Sequence, residues 1–262
     1  MRICNFSSGS DGNSTYIESS NSKILIDAGI SCAKIVENLN KLGVNPFEID
    51  AIFVTHEHSD HISGIDTFSR KYNTKIYAHA NCWLTLDSKL KKVEKLNRFN
   101  FFDSCISFKD LKIYNYPLSH DASFTVGYKI ASENNSVSIV TDLGIITDDI
   151  IDFIKGSQLV YIESNHDVKT LQENPNYSYF LKSRILSSHG HLSNLQCAQA
   201  IEKLAVYGTK QFVLSHLSKE NNTPDLAYNQ VCDYLQTKDI IEGKHIRIAV
   251  ATTEKGPIFR LI

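Results

Sequence analysis

The segment Thr55-His56-Glu57-His58-Ser59-Asp60-His61 follows directly on the apolar run Ala51-Ile52-Phe53-Val54. A lone histidine is more often a hydrogen-bonded core residue than a metal ligand, but three histidines and an aspartate within six residues reverse that expectation. Imidazole and carboxylate are both ligands of divalent zinc and manganese. In a tight turn after a strand, the first two histidines can point to one side, and the aspartate and last histidine can reach a neighbouring point. The segment therefore predicts two ligands for each of two adjacent metal ions.

Short apolar runs that end near Asp, Glu or His recur along the chain. Runs of this kind, rich in β-branched residues, are typical of buried strands. Their polar ends would meet at one rim of a sheet, which is where open α/β sheets bind ligands. Seven predicted strands end in this way: Lys23–Ile26, Ala51–Val54, Ile113–Leu118, Val137–Val140, Leu159–Ile162, Ile185–Leu186 and Gln211–Leu214.

Two adjacent divalent ions need more ligands than one segment offers, and a carboxylate between them would offset their mutual repulsion. Asp142 follows the predicted strand Val137–Val140 and is the natural candidate for that bridging position. His120 and His216 follow two other predicted strands. They are the candidates for a third histidine on each ion.

Amphipathic helices are predicted between the strands. Ser193-Asn194-Leu195-Gln196 has the capping-box pattern and opens a helix that Gly208 closes. The segments Ala33–Leu42 and Asp225–Gln236 are predicted to be helical for the same reason of periodicity. The basic run Lys89–Arg98 is also predicted to be helical; a solvated face is one interpretation of it, and a contact with a phosphate backbone is the other.

Composition indicates an ordinary globular protein, with 262 residues, 42% of them apolar and 21% charged. We expect a single domain over residues 1–262, because no linker or composition break interrupts the chain. The formal net charge of -2 disfavours a histone-like clamp on nucleic acid, although a local basic groove remains compatible with it.

Six cysteines lie far apart and form no Cys-x-x-Cys pair, so we expect free thiols and no thiolate zinc site. The first residues lack the apolar core of a signal peptide, and no apolar run approaches the roughly 18 residues of a membrane span. A cytoplasmic protein without membrane contact is the expectation.

The pattern His56-x-His58-x-Asp60-His61 resembles the signature motif of the metallo-β-lactamase superfamily, and Asp27, His120, Asp142 and His216 fall in the order of its other motifs. The resemblance implies an α/β (α+β) fold, a four-layer αββα sandwich with two mixed sheets. It also implies two divalent metal ions, Zn²⁺ or Mn²⁺, and an Asp27 that orders the histidine loop from outside. The implied ligands are His56, His58 and His120 for one ion, Asp60, His61 and His216 for the other, and Asp142 as the bridge.

A narrower resemblance covers residues 1 to about 260. The WalJ (YycJ) branch of bacterial proteins is similar in the segments Phe6–Asn13, Val54–His61, Ser119–Ala122, Thr141–Gly144, Glu163–Asp167, Gly190–Asn194 and His216–Ser218. This branch is similar to exonucleases that process DNA from the 5′ end, and more distantly to ribonucleases Z and J. Asp142 and His216 are too close in sequence to contain the large extra domain of ribonuclease J, so any grip on nucleic acid must come from loops of the core domain.

Three functions follow as hypotheses. The first is a metal-dependent exonuclease, directed to the 5′ end of DNA or RNA, that uses a hydroxide between two ions about 3.5 to 4 Å apart. The second is a hydrolase of a small cyclic nucleotide, phosphodiester or thioester. The third is a regulatory protein that uses its metals structurally, which the intact ligand set disfavours. No Ser-His-Asp or Cys-His arrangement indicates a protein nucleophile.

His191 is the predicted general acid or transition-state stabiliser, because a helix N-terminus suited to phosphate follows it. A capping role is the alternative for His191, and the neighbouring His189 is assigned a structural role. Asp60 is counted among the catalytic residues, since its loss would remove an ion and the water that this ion activates. Asn165 and His166 are expected either to contact a substrate phosphate or to hold the bridging region.

Overall fold

Two seven-stranded sheets form the centre of the computed structural model, which describes residues 1–253 and 258–261. The strands in chain order are β1 (Arg2–Ser7), β2 (Ser14–Glu18), β3 (Lys23–Ile26), β4 (Ala51–Val54), β5 (Lys75–His79), β6 (Arg98–Phe101), β7 (Cys105–Phe108), β8 (Leu111–Leu118), β9 (Thr125–Ala131), β10 (Ser136–Val140), β11 (Leu159–Glu163), β12 (Gln211–Ser215), β13 (Arg247–Val250) and β14 (Ile258–Arg260).

Helices occupy most of the connections between strands. They are α1 (Cys32–Lys41), α2 (Ser59–Ile62), α3 (Ile65–Tyr72), α4 (Ala80–Lys89), α5 (Asp148–Ile154), α6 (Val168–Glu173), α7 (Tyr179–Ile185), α8 (Asn194–Val206) and α9 (Pro224–Gln236), with short 3-10 turns at Pro46–Glu48 and Lys95–Asn97. Across the described part of the chain, no helix combines the length and the apolar character needed to cross a membrane.

Both sheets are mixed, as the resemblance implies. The first sheet has the order β14-β1-β2-β3-β4-β5-β6, and its pairs are parallel from β3 to β6. The second has the order β13-β12-β11-β10-β9-β8-β7, and its pairs are parallel from β10 to β13. The remaining neighbours in each sheet are antiparallel.

Three apolar clusters separate four layers. Ile24 and Ile26 of β3 face the cluster between the two sheets, whereas Leu25 faces the cluster under α1, α3 and α4. The second sheet packs its outer face against α5, α8 and α9. Because these strands are buried on both faces, their sequences are continuously apolar rather than alternating. The predicted αββα sandwich is confirmed.

Two hydrogen bonds join the sheets at the start of the histidine loop. The Tyr128 hydroxyl of β9 donates to the Val54 carbonyl at 2.7 Å, and the Val126 amide donates to the Thr55 carbonyl at 3.1 Å. Tyr128 is fully buried, so this bond satisfies a hydroxyl that would be costly to leave without a partner. The second sheet therefore holds the backbone from which the histidine cluster starts.

One of the seven predicted strands is wrong. Ile185–Leu186 lies at the end of α7, a helix that Ser178 caps through the Leu181 amide. Leu181 is half-buried and Ile185 is buried, and the spacing of four between these two apolar residues is helical rather than strand-like. His191 consequently follows a helix and a turn, whereas the sequence predicted a strand before it.

The predicted helix over Lys89–Arg98 is also wrong, since only Lys95–Asn97 forms a single 3-10 turn there. Hydrogen bonds from side chains, rather than those of a helix, pair the backbone amides and carbonyls of this segment. The Asp66 carboxylate accepts from the Lys92 and Val93 amides, and the Arg98 guanidinium donates to the Val93 carbonyl. At the start of the run, the Lys89 ammonium donates to the Glu57 carbonyl at 2.9 Å, beside the histidine loop.

Candidate metal centre

Three residues at the site have a left-handed backbone although none is a glycine. They follow the ends of β3, β10 and β12, and their φ angles are 60° at Asp27, 62° at Asp142 and 56° at His216. This conformation costs roughly 1–2 kcal/mol for an ordinary residue, and Asp and His are among the types that adopt it more often. Strain of this kind persists where surrounding packing dictates the conformation, and it concentrates at functional sites.

The histidine loop supplies a compact group from the first sheet. His58 immediately precedes α2, and Asp60 and His61 lie within that short helix. The ring of His56 is fully buried, with its centroid 4.6 Å from that of His58 and 4.1 Å from that of His61. The loop after β4 and the helical turn that follows it thus bring four predicted ligands together.

The second sheet delivers three more side chains to the same place. Oδ2 of Asp142 lies 3.2 Å from Nε2 of His61, and Oδ1 lies 3.4 Å from Nε2 of His216 and 3.7 Å from Nε2 of His120. Oδ2 of Asp60 lies 3.6 Å from Nε2 of His216. Asp142 therefore stands at the centre of the cluster, with each carboxylate oxygen facing different histidines.

The ligand atoms fall into groups small enough to hold one ion each, with all atoms of a group within 4.8 Å of one another. The groups are His56, His58 and His120; Asp60, His61 and His216; His56, His61 and Asp142; and Asp142, Glu163, His191 and His216. The first two contain the same residues that the resemblance implies for the two ions, and Asp142 occurs in both of the others.

Four buried atoms of the cluster lack a hydrogen-bond partner among the described residues. They are Nε2 of His56, His120 and His216, and Oδ2 of Asp142. A buried polar atom left without a partner costs about 1–3 kcal/mol. Nitrogen and carboxylate lone pairs that converge in this way fit divalent cations, so the fold and the cluster together support divalent metal ions as cofactors.

Among these side chains, Asp142 and His56 have pKa values shifted toward the forms that bind metal, whereas the neighbouring carboxylates raise the pKa of His61 and of His216. Burial opposes the ionised form of Asp142, but the nearby His216 and His61 hold its pKa well below the ordinary value. Burial, together with repulsion from His61, holds the pKa of His56 well below its ordinary value. The carboxyl is therefore anionic and the His56 imidazole neutral, which are the forms that bind metals.

Asp27 supports the loop from behind, as the resemblance implies. Its two oxygens accept from the Thr55 amide and the Thr55 hydroxyl, each at 2.8 Å. Oδ2 also lies 2.7 Å from Nδ1 of His61. This contact fixes the orientation of the His61 ring and leaves Nε2 facing Asp142.

Glu163, the last residue of β11, has the corresponding position in the second sheet. It is fully buried, and Oε1 lies 2.7 Å from Nδ1 of His191 and 2.8 Å from Nδ1 of His216. Oε2 accepts from the Leu143 and Leu192 amides. Although burial opposes ionisation, contact with His191 and His216 lowers the pKa of Glu163 to about 2. No role for Glu163 was predicted, although a glutamate at the end of an apolar strand is itself a signal.

His191 lies beside the cluster and is partly open to solvent. Its side chain is 20% exposed, and its ring centroid is 5.0 Å from that of His120 and 5.3 Å from that of His216. Burial opposes its charged form, yet the Glu163 carboxylate raises the pKa of His191 above the ordinary value. His189 is exposed, and its Nδ1 lies near the hydroxyl of Ser188 rather than near the cluster.

Asn165 and His166 are both buried. The Asn165 side chain donates to the His216 carbonyl at 2.9 Å. The choice between contacting a substrate phosphate and holding the bridging region stays a prediction for both residues. Neither ring nitrogen of His166 has a hydrogen-bond partner among the described residues, and burial lowers its pKa to about 4.

The loop before β2 contributes a residue that sequence reasoning did not assign. Nδ2 of Asn13 lies 3.2 Å from Oδ2 of Asp60 and 3.0 Å from Nε2 of His61, and its backbone amide donates to the Asp60 carbonyl. Gly29 packs against the same carbonyl, because a Cβ on Gly29 would lie only 1.6 Å from the Asp60 oxygen. Close backbone packing therefore fixes α2.

Comparison with known proteins places this geometry in a family. The sequence model of the beta-lactamase superfamily domain matches residues 22–217. Exodeoxyribonuclease WalJ of Streptococcus pneumoniae is 37% identical over 244 residues, which cover 92% of this chain and 90% of that protein. Exodeoxyribonuclease YycJ of Bacillus anthracis is 35% identical over 243 residues, which cover 92% of this chain and 91% of that protein.

Among solved structures, the metallo-beta-lactamase fold protein YhfI from Bacillus subtilis superposes with a TM-score of 0.73 at 16% sequence identity. That match covers 99% of each chain and shows a common fold. Together with the domain match and the two relatives, it confirms the resemblance that the histidine motif indicated. The chain belongs to the metallo-β-lactamase superfamily, in its WalJ (YycJ)-like branch.

Proposed function

We propose that the chain is a metal-dependent exonuclease that removes nucleotides from the 5′ end of DNA. The observation that carries this proposal is the convergence of seven buried or half-buried ligand side chains, Asp142 among them, from two sheets into one cluster. The two relatives are named exodeoxyribonucleases, and their identity extends over about nine-tenths of both chains. Preference for the 5′ end and for DNA over RNA are parts of the proposal that the resemblance supports.

The proposed ligands are those of the sequence analysis: His56, His58 and His120 for one ion, Asp60, His61 and His216 for the second, and Asp142 between them. Divalent ions bound there would lower the pKa of a water molecule and neutralise the charge of a phosphodiester. Zn²⁺ and Mn²⁺ both suit this mixture of imidazole and carboxylate donors.

Proton delivery and the orientation of the ligands are assigned to other side chains of the chain. Glu163 accepts a hydrogen bond from Nδ1 of His191, so Nε2 of that ring is left for the substrate. We assign to His191 the delivery of a proton to the oxygen that leaves when the phosphodiester breaks. Asp27 and Glu163 hold His61 and His216 through Nδ1, which keeps the opposite nitrogen of each ring directed into the cluster.

We further propose that residues 1–262 act as one domain, because the cluster needs side chains from both sheets. Loss of either sheet would remove at least three proposed ligands. All six cysteines are free thiols, which supports a location in a reducing compartment such as the cytoplasm.

The test uses single-stranded and duplex DNA labelled at the 5′ or the 3′ end, and RNA of the same sequence. Metal-free protein receives Mn²⁺, Zn²⁺ or buffer alone before the substrate is added. The proposal predicts labelled mononucleotide at the earliest times from the 5′-labelled DNA and a ladder of shortening products from the 3′-labelled strand. Turnover of thioesters or cyclic nucleotides, with no nucleotide released from any polymer, would contradict it.

A further inference from the structure

The short helix α7 exposes two adjacent aromatic side chains. Tyr179 is 79% and Phe180 84% exposed, and their ring centroids lie 6.0 Å apart. Phe47, the control used below, is 67% exposed and packs its ring on Tyr72. Aromatic surface left in water is unfavourable, so an exposed aromatic pair indicates a surface that a ligand covers.

The aromatic pair lies close to the proposed metal centre. Arg184 follows Phe180 by four residues, so the two side chains share one face of α7. Nε of Arg184 lies 3.3 Å from Oδ2 of Asp121, and Oδ1 of Asp121 lies 3.2 Å from Nε2 of His120. Phe180 is therefore about one helical turn, roughly 5.4 Å along the axis, beyond the residue that reaches the rim of the cluster.

The end of α7 is held rigidly against the turn that carries His191. The Ile185 carbonyl accepts from the His191 amide at 3.0 Å. A Cβ on Gly190 would lie 2.1 Å from that carbonyl oxygen and 2.3 Å from the Arg184 oxygen, so only glycine permits this approach. Any group bound on the face of α7 is consequently at a fixed distance from the proposed general acid.

Charge on α7 is complementary to a polyanion. The helix contains Lys182 and Arg184 and no acidic residue, although the whole chain has a formal net charge of -2. The Arg184 side chain is 63% exposed, so its donors are accessible in spite of the ion pair with Asp121. Exposed aromatic rings beside cations are the combination that binds single-stranded nucleic acid through stacking and phosphate contacts.

We propose that Tyr179, Phe180 and Arg184 form a subsite for the single-stranded end of the DNA substrate. Bases stack on the two rings, and the guanidinium contacts a phosphate adjacent to the one that is cleaved. This inference rests on the proposed exonuclease function, for which it defines the substrate as a strand at least a few nucleotides long. A second copy of the chain is the competing occupant of this surface.

The experiment compares wild type with Phe180→Ala, Tyr179→Ala and Phe180→Trp, and with Phe47→Ala as the matched exposed-aromatic control. Binding of a fluorescent hexanucleotide and of the free label is followed by anisotropy, without metal so that no cleavage occurs. With metal, kcat/KM is measured for the hexanucleotide and for bis(p-nitrophenyl) phosphate, a single phosphodiester with no further nucleotides. Sedimentation velocity reports self-association of each variant.

Phe180→Ala should weaken hexanucleotide binding by about 5- to 150-fold, the range expected for one stacked base. The ratio of kcat/KM for the hexanucleotide to that for the small ester should fall by a similar factor. Phe180→Trp should restore most of both losses, and Phe47→Ala should behave as wild type. The subsite alone would be overturned if wild type cleaves DNA and Phe180→Ala behaves like the Phe47→Ala control. It would also be overturned if wild type is a dimer that Phe180→Ala dissociates without any change in DNA binding. Wild type that neither binds nor cleaves DNA would overturn the proposed function itself.

Discussion

The two sheets contribute to the candidate site in different ways. The first sheet delivers its ligands from one loop and one short helix, over six consecutive residues. The second delivers its three proposed ligands from separate loops, after β8, β10 and β12. The first group forms through local structure, whereas the second exists only when β8 to β12 pack side by side. The ligands of the first sheet, the first half of the site, are therefore set by local structure. Those of the second sheet, the second half, depend on the tertiary fold.

The same kind of contact supports the ligands of both sheets. In each sheet a fully buried or nearly buried carboxylate at a strand end contacts Nδ1 of a proposed ligand, Asp27 with His61 at 2.7 Å and Glu163 with His216 at 2.8 Å. The difference lies in the second contact. Asp27 also accepts from Thr55 of the histidine loop, whereas Glu163 also contacts His191. The first carboxylate thus contacts the histidine loop, and the second joins a proposed ligand to the proposed proton donor.

The largest expected effect comes from removing a proposed ligand that the first sheet delivers. Asp60→Ala should remove one of the two ions and lower turnover by more than about 10⁴-fold, because several kcal/mol of transition-state stabilisation depend on the ion. The circular dichroism spectrum should remain that of a folded protein. Metal analysis by mass spectrometry provides the measurement, with Asp233→Ala on the exposed face of α9 as the matched control. Two retained ions with full turnover would remove Asp60 from the ligand set.

The second largest effect comes from removing His191, the proposed proton donor beside the second sheet. His191→Ala should lower kcat by about 10² to 10⁴-fold, the usual range for a positioned acid-base group, without loss of metal. The defect should shrink on a substrate with p-nitrophenolate as leaving group, since that group departs without a proton. Loss of metal from the purified variant would instead identify His191 as a ligand, and unchanged kinetics would identify it as structural.

The third effect compares the two supporting carboxylates directly. Asp27→Asn and Glu163→Gln should each weaken metal binding by about 10- to 100-fold, as is typical when the partner of a ligand is altered. With metal restored to saturation, Asp27→Asn should recover most of its kcat, whereas Glu163→Gln should remain lower because His191 has lost its partner. Equal recovery of the two variants would show that Glu163 does not act through His191.

The smallest effect concerns the packing behind α2. Gly29→Ala should lower the free energy of unfolding by about 3 kcal/mol, the upper part of the range for overpacking, because the new Cβ meets the Asp60 backbone. Gly43→Ala is the matched control: its φ is +73° and a Cβ would meet nothing within 4 Å, so strain of about 1 kcal/mol is expected. Urea denaturation midpoints with equal slopes would measure both, and equal losses would show that the contact at Gly29 relaxes cheaply.

Much of this arrangement could be predicted from sequence where the signal is local. Neighbouring residues alone indicate the continuous apolar strands, the histidine loop and the capping box at Ser193. Both hydrogen bonds of the capping box are present. Asp142 and His216 are candidates because each follows a predicted strand, but only the family resemblance assigns them to particular ions.

The rest could not be predicted because it depends on packing between distant segments. The left-handed backbone at Asp142 and His216 has no local signal of the kind that glycine gives. Glu163 became visible as a support only once β11 lay between β10 and β12, which brought two histidines to one carboxylate. Ile185–Leu186 was too short an apolar pair to distinguish a strand from the end of a helix.

Equilibrium dialysis of the metal-free protein against Mn²⁺, with exonuclease rate measured on the same samples, tests the central claim most directly. The account predicts that two ions bind per chain and that release of 5′-labelled nucleotide rises with occupancy of the second. His216→Ala, which alters only the second half, should bind a single ion and lose the rate. Full exonuclease activity without metal, or two ions retained by His216→Ala, would contradict a site assembled from both sheets.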